Sequence, residues 1–497
     1  MSTLPRTTGI LLHPTSLPGP IDHGDLGPHA FYFVNFLHDC GVGVWQTLPL
    51  GPTHADLSPY NCISAHAGNP LLISADALRD EEWLDNRDSS FLSSSNSVRA
   101  RGAMLAAARQ SFKRRATPGQ QAELAEFTAR HGHWLEDYAL YYAIRNAQGG
   151  LPWFDWPVAL RDRDPQALQQ ARDTLNEAMQ QACFEQFLFF RQWNSLKRHA
   201  NAQGVRMFGD MAIFVAHDSA DAWSHRECFQ LDEQGQPTVV AGVPPDYFSA
   251  TGQRWGNPLY DWKNHKAEVI SLWVERTRTQ AELFDMVRID HFRGLESHWA
   301  IPAAEYLPTA GQWMPTPGDE LLTALRRECS NLSLIAEDLG FITAAVDQLR
   351  RRHELPGMHV LQFGFDGDPH NHHLLHAHDP ANVVYTGTHD NDTTLGWFNS
   401  LSLATQDQVL SYFGYPTEAM PWPMVRYALA SVASLAILPM QDILGLGSEH
   451  RMNKPGINGG NWQWRFEWSQ VPEEVANRLA HFTWRYGRNC VQSITTP

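Results

Sequence analysis

Short apolar runs alternate with longer amphipathic stretches along this chain of 497 residues. Each run ends in polar, glycine or proline residues, which is typical of buried β-strands that lead into turns. Segments between them have helical periodicity, as at 29–41, 184–204 and 342–354. The predicted strands lie in the runs 9–17, 42–50, 205–214, 286–292, 332–340, 358–365, 382–390 and 434–442.

Strands that alternate with helices predict parallel βα units, and nearly continuous apolar runs fit strands that are covered on both faces. Eight such units indicate the α/β class and a (β/α)8 TIM barrel. A doubly wound open sheet is the alternative. It is disfavoured because no strand is followed by a G-x-G-x-x-G turn, and the GLG at 445–447 lacks the third glycine.

The spacing of the predicted strands is uneven. Residues 51–204, between the second and third strands, are polar and mainly helical in pattern, and we interpret them as an inserted subdomain. A second insertion spans about 215–285 and contains the Pro/Gly-rich segment 242–262, which is typical of a functional loop. We therefore predict one barrel domain over residues 1–497, with helical and loop insertions around the C-terminal rim of its strands.

The charge balance limits the possible partners. The chain has 38 basic and 54 acidic residues, a net charge of −16, which repels phosphate backbones and anionic lipid. Neither nucleic acid nor a membrane is expected as a partner, and a neutral substrate is favoured. No apolar stretch reaches 18 residues, and the first 20 residues lack the apolar core of a signal peptide. Six cysteines without C-x-x-C spacing are typical of reduced thiols, so we expect a cytoplasmic protein.

The run 286–292 carries two opposite charges. Because side chains alternate along a strand, Arg288 and Asp290 share one face. The arginine is expected to lower the pKa of Asp290 and keep it ionised, as a nucleophile or a stabiliser of positive charge requires. A purely structural ion pair is the alternative.

More carboxylates follow the ends of other predicted strands. Asp210 ends the third strand, Glu337 the fifth and Asp390 the seventh. Functional residues of barrel enzymes collect at the C-terminal ends of the strands, so Asp290, Glu337 and Asp390 should meet at one rim. A pair of carboxylates is the equipment for glycoside chemistry, with one ionised and one protonated. The apolar run before Glu337 favours a raised pKa and the role of acid.

The histidine-rich segment 370–378 raises the question of a metal. Its spacing matches no common ligand pattern, so we predict a solvated polar loop and no metal. The chain has no G-x-S-x-G elbow, which disfavours a serine hydrolase.

The motifs around these residues are specific. The chain resembles the 4-α-glucanotransferases known as amylomaltases, glycoside hydrolase family 77, in segments that include GDMAIFVAHDSADAW, GVPPDYFSATGQRWGNPLY, VRIDHFRG, IAEDLG, VVYTGTHDNDTTLGW and RMNKPG. The resemblance implies that Asp290 is the nucleophile, Glu337 the acid/base and Asp390 the stabiliser of the transition state. It also implies a lid at Pro244–Ser249.

The resemblance further implies a retaining transferase that moves segments of α-1,4-glucans, such as maltooligosaccharides, amylose and glycogen-derived dextrins, without a cofactor. An α-amylase-type hydrolase on the same barrel is the alternative. The implied substrate-binding residues are Arg288, His389, Tyr60, Asp210, Asp246, Tyr247, Phe248, Trp255, Phe363 and Asn461.

Overall fold

The computed structural model describes residues 4, 6–19, 23–85, 97–245, 251–457 and 459–490. Eight strands form one parallel sheet. Seven of them lie within their predicted apolar runs, and the first overlaps its run but begins two residues earlier. They are β1 (Thr7–Leu11), β2 (Val44–Gln46), β3 (Arg206–Met211), β6 (Met286–Ile289), β9 (Ser333–Ala336), β10 (Met358–Val360), β11 (Val383–Tyr385) and β12 (Leu435–Pro439).

The strand order curls the sheet into a barrel. Neighbours in space follow the chain from β1 to β9 and from β10 to β12, and β12 pairs with β1. The seam lies between β9 and β10, where the Ala336 N–H donates to the Pro356 carbonyl at 2.8 Å. There Asp338 also accepts the Met358 N–H at 2.7 Å. The (β/α)8 prediction is confirmed.

Alternating strand residues belong to two separate apolar clusters. Phe208, Met286 and Ile335 lie in the cluster inside the barrel, whereas their neighbours Met207 and Val287 lie in the larger cluster between the strands and the helices. This alternation follows from the period of two of a strand. The next inward position along each of the three strands is polar, and these positions begin the functional site.

Helices surround the strands and fill the first insertion. Among the described residues they are α1 (Pro28–Asp39), α2 (Ala75–Asp80), α3 (Ser97–Arg115), α4 (Pro118–Ala147), α5 (Val158–Arg161), α6 (Pro165–Thr174), α7 (Asn176–Ala202), α8 (Ala220–Ser224), α9 (Lys266–Leu283), α10 (Gly318–Glu328), α11 (Ala344–Arg352), α12 (Thr394–Ser400), α13 (Leu403–Tyr412), α14 (Trp422–Ala430), α15 (Met440–Ile443) and α16 (Glu473–Arg485). None of these described helices is long and apolar enough to cross a membrane.

The first insertion is anchored to the barrel by its last helix. Helix α7 packs along α4 on one side and against β3 and α1 on the other. Its Trp193 indole N–H donates to the Leu283 carbonyl at 2.8 Å. The boundaries 51–204 and 215–285 and the single-domain interpretation remain predictions.

The Pro/Gly-rich segment 242–262 is more regular than a loop. Strands β4 (Val239–Val243) and β5 (Gln253–Pro258) pair in antiparallel fashion, and they continue through β7 (Ser297–Pro302) to β8 (Gln312–Pro315). The sequence predicted a functional loop here, and the structure places strand residues at 242–243 and 253–258 within it. Backbone pairing between β4 and β7, which lie far apart in sequence, supplies the order that the local composition disfavours.

Candidate active site

A buried arginine organises the centre of the rim. Arg288, at the end of β6, pairs in register with Asp210 on the neighbouring strand β3. Its Nε and Nη2 atoms lie 2.8 and 2.7 Å from Asp210 Oδ2, and Nη2 lies 2.7 Å from Asp290 Oδ1. The Tyr60 hydroxyl donates to Asp210 at 2.8 Å. One guanidinium thus binds two carboxylates and fixes the orientation of Asp290.

The pKa of Asp290 differs from the sequence expectation. Burial raises it to about 6, while the Arg288 charge lowers it and the charges of Asp210 and Asp390 raise it further. Arg288 lowers this pKa, as the sequence predicted, but the expected net value below the ordinary one was wrong, because burial and the charges of Asp210 and Asp390 outweigh the arginine. At neutral pH Asp290 remains ionised.

Glu337, directly after β9, is the carboxyl group best suited to hold a proton. Burial raises its pKa to about 8, and the charge of Asp290 adds to this. The carboxyl group is held in place by two backbone donors, the N–H of His291 at 2.7 Å and the N–H of Leu339 at 2.9 Å. His291 has a left-handed backbone with φ 50°, a conformation that costs energy outside glycine. This residue contributes one of the two N–H groups that orient Glu337.

Asp390 has the opposite electrostatic environment. Burial raises its pKa, but the charge and hydrogen bond of His389 and a hydrogen bond from Asn453 outweigh this effect and lower the pKa to about 2. Asn453 Nδ2 donates to Asp390 Oδ1 at 2.6 Å, and His389 Nε2 lies 3.3 Å from Oδ2. The Arg451 guanidinium donates to the Asp390 carbonyl at 2.8 Å. Asp390 is therefore a fixed negative charge.

Aromatic rings connect these groups. The rings of Tyr60 and His389 are stacked at 5.2 Å with an angle of 16°, and Trp462 lies 6.0 Å from each of them. On the other side, the Trp255 ring meets the His291 ring edge-on at 4.9 Å. The centre thus has aromatic side chains both beside Asp390 and beside the segment that holds Glu337.

The carboxylates open into a large cleft of about 1640 Å³. Arg288, Asp290, Glu337 and Asp390 all line it, which brings together groups from β6, β9 and the segment after β11. Carboxyl groups with such different proton affinities can combine a nucleophile, an acid and a stabilising charge. A cleft of this size accommodates a chain of several sugar units.

The other predicted binding residues divide into four groups, of which Phe363 alone forms the last. Tyr60, Trp255 and Asn461 line the same cleft. Asp210 and His389 are buried behind it and act on Arg288 and Asp390. Asp246, Tyr247 and Phe248 lie outside the described residues.

Phe363 is not among the residues that line the cleft. Its ring packs against His373 at 5.6 Å and against the apolar cluster inside the barrel. Asn461 lies on the cleft, and its side chain also binds the loop before it: its oxygen accepts the Lys454 N–H at 3.0 Å, and its amide donates to the Ile457 carbonyl at 2.9 Å.

The histidine-rich segment is solvated only in part, since His370, His372 and His376 are exposed. His373 and His378 are buried, and the ring of His378 stacks on that of His359 from β10 at 4.3 Å. Burial lowers the pKa of His373 to about 2 and that of His378 to about 4, so both are neutral. Across the described residues, no three His, Cys, Asp or Glu side chains are arranged to hold a metal ion.

Sequence reasoning missed the partners of Asp390. Asn453 and Arg451 lie in the RMNKPG segment, more than 60 positions after the residue that they hold. The motif itself was recognised, but its spacing gave no indication of which carboxylate it would meet. Asp338, beside Glu337, has a structural role instead, since it pairs with Arg350 at 3.1 Å at the barrel seam.

Comparisons with known proteins show which family the chain is similar to. The family model described as 4-alpha-glucanotransferase matches residues 12–470. The chain is 47% identical to the 4-alpha-glucanotransferase of Thermus thermophilus, covering 96% of this chain and 98% of that protein. It is 46% identical to the Synechocystis enzyme of the same name, covering 97% and 98%. The amylomaltase of Streptococcus agalactiae, solved with acarbose, superposes with a TM-score of 0.93 at 34% identity, covering 97% of this chain and 100% of that one.

Proposed function

Because the chain belongs to the 4-alpha-glucanotransferases of glycoside hydrolase family 77, we propose that its cleft transfers α-1,4-glucan segments by retaining double displacement. Asp290 is the nucleophile in this proposal, and Glu337 is the acid/base. The observation that supports it most directly is that three strands deliver three carboxyl groups to one cleft, with Glu337 set apart by the highest pKa.

In the first half of the reaction, protonated Glu337 donates its proton to the glycosidic oxygen while the Asp290 carboxylate attacks the anomeric carbon. The bond between that carbon and the glycosidic oxygen breaks, the reducing-end fragment leaves with the proton, and a β-linked glycosyl ester forms on Asp290. Arg288 orients Asp290 for the attack through its 2.7 Å contact. Asp390 is proposed to stabilise the positive charge that develops on the sugar ring.

In the second half, ionised Glu337 removes the proton from the 4-hydroxyl of an acceptor glucan. The hydroxyl oxygen attacks the same anomeric carbon, the ester breaks, and an α-1,4 bond is rebuilt with net retention. Asp290 is left ionised and Glu337 protonated, so the cycle closes without a cofactor. The α-amylase-type alternative uses water in this step, and the named relatives favour transfer.

The role assignment is tested with two variants and two donors. Asp290→Asn should abolish turnover of both maltotriose and α-maltotriosyl fluoride, because no nucleophile remains. Glu337→Gln should abolish turnover of maltotriose but release fluoride, because fluoride needs little protonation to leave. Asp379→Asn, an exposed carboxylate away from the cleft, is the matched control. If Glu337→Gln lost both donors equally, the acid/base assignment would be wrong.

The lid is proposed to select an acceptor glucan over water. Tyr247 and Phe248 are adjacent in a Pro/Gly-rich segment of the sequence that has no helical or strand periodicity, so a buried position in a regular element does not account for them. Replacing both with alanine should raise the number of new reducing ends per bond cleaved, because transfer conserves reducing ends and hydrolysis creates one. An unchanged ratio in a folded double variant would assign these aromatic residues a structural role.

A cytoplasmic location completes the proposal. All six cysteines are free, and Cys40, Cys228 and Cys329 are buried. A glycosylation sequon, Asn391-Asp392-Thr393, begins next to Asp390. The Asn391 side chain accepts the Thr388 N–H at 2.9 Å. A glycan there would obstruct the cleft. Fractionation of the source cells, with activity followed on maltotriose, tests the location.

A further inference from the structure

An aromatic wall stands at the mouth of the cleft on the side of Glu337. Phe341, four positions after Glu337, is 68% exposed, and both Phe341 and Trp313 line the cleft. Single exposed apolar side chains are common on protein surfaces, but this one lines the cleft, where the face of its ring is available to a ligand. Because the ring gains little from the core, the stability of the fold does not explain it.

Buried Arg293 holds this wall in place. Its guanidinium lies 3.6 Å from the centre of the Trp313 ring and 5.8 Å from that of Phe341. Its Nη1 donates to the Phe341 carbonyl. Stacking of a guanidinium on aromatic faces is favourable and directional, so it fixes both rings relative to β8 and to the segment after β9. The wall is therefore organised before any ligand binds.

The position of the wall identifies what it would contact. In the proposed reaction Asp290 and Asp390 act on the donor sugar, and Glu337 protonates the oxygen between the donor and acceptor sugars. Side chains on the far side of Glu337 from Asp290 therefore border the acceptor. The segment Leu339–Phe341 leads from the acid directly to the cleft mouth, and all three of its residues line the cleft. Asp390, Asn453 and Trp462 line a different part of the cleft. Among the described hydrogen bonds and ring contacts, none joins these three residues to Phe341, Trp313 or Arg293.

We propose that Phe341, supported by Trp313 and Arg293, is a binding platform for the outer glucose units of the acceptor chain, and that it makes the enzyme prefer acceptors longer than one glucose. Glu337 is 8% exposed and Phe341 is 68% exposed, so the proposal places the first acceptor glucose at the buried acid and the second or third unit of a maltooligosaccharide at the ring. This inference rests on the proposed function and adds acceptor-length specificity to it.

The test uses α-maltotriosyl fluoride as donor with glucose or maltotriose as acceptor. In Phe341→Ala the preference for maltotriose over glucose, expressed as the ratio of kcat/KM values, should fall about tenfold, equivalent to about 1.4 kcal/mol. The change should be mainly an increase in the KM for maltotriose as acceptor. Phe341→Tyr should restore the preference, because it retains the ring face. Tyr306→Ala is the matched control, since Tyr306 is 88% exposed in the β7–β8 connection but does not line the cleft.

The two proposals fail in different ways. If the unaltered enzyme released no fluoride or formed no longer glucans, the proposed function itself would be wrong. If it did both, and the Phe341→Ala ratio stayed within twofold of the unaltered value, only the platform would be overturned. An equal loss with glucose and maltotriose would also overturn it, because the ring would then act at the reacting centre and not on outer units.

Discussion

The shared arginine makes a quantitative prediction for Asp210→Asn. The asparagine keeps the size and an acceptor oxygen for Arg288 and Tyr60, but it removes one buried negative charge. The two carboxylate oxygens of Asp210 and Asp290 each lie 2.7 Å from the same Arg288 nitrogen, so they are separated by at most twice that distance. Removal of Asp210 therefore removes a repulsion that raises the pKa of Asp290.

The size of the effect follows from this separation. Two unit charges about 5 Å apart at an effective dielectric of about 20 repel by about 3 kcal/mol, which corresponds to about 2 pH units. Asp290 must be ionised to attack. In the unaltered enzyme, kcat/KM should therefore decrease as the pH falls below the pKa of Asp290, which is about 6. In Asp210→Asn this acid limb should move to about pH 4.

The assay is the pH dependence of kcat/KM on maltotriose. Because Asp290 and Glu337 interact, the two limbs belong to the pair, but the variant should move mainly the acid limb. The basic limb, near pH 8, reflects loss of the Glu337 proton, and Asp210 is not among the causes of that raised pKa. Asp338→Asn is the contrasting control, because the Asp338 charge raises the pKa of Glu337 and its loss should lower the basic limb. If the midpoint of the acid limb in Asp210→Asn stayed within 0.5 pH unit of its position in the unaltered enzyme, or moved to higher pH, the reasoning would be refuted.

Two further predictions concern the support of the site. Asn453→Ala removes the 2.6 Å hydrogen bond to Asp390. A hydrogen bond to a charged group is worth about 1.5–3 kcal/mol, so kcat on maltotriose should fall about tenfold to a hundredfold. A change below twofold would contradict the positioning role of Asn453. Gly209→Ala places a Cβ 2.3 Å from the buried Phe284 ring and should lower the free energy of unfolding in urea by about 1–3 kcal/mol. Gly102→Ala, which has nothing within 4 Å in helix α3, should instead leave the stability equal or raise it by about 0.5–1 kcal/mol, and equal losses in the two variants would contradict the packing argument.

The sequence determined the features that depend on local periodicity. Seven of the eight barrel strands lie within the predicted apolar runs and β1 overlaps its run, because burial on both faces requires continuous apolar sequence. The alternation of side chains placed Asp210, Arg288 and Glu337 on the inward face at the ends of their strands. The family motifs supplied the proposed roles of the three carboxylates.

Only the tertiary structure decided the features that depend on distant neighbours. The pKa of Asp290 lies above its ordinary value because burial raises it by more than Arg288 lowers it, and the charge of Asp210, from another strand, adds to the rise. Phe363 packs against His373 and does not line the cleft, which no pattern in its own segment of sequence indicated. Asp390 is kept ionised in part by Asn453, across 63 positions. Periodicity fixes which face a side chain presents, whereas its charge state and contacts depend on the groups that the fold brings to that face.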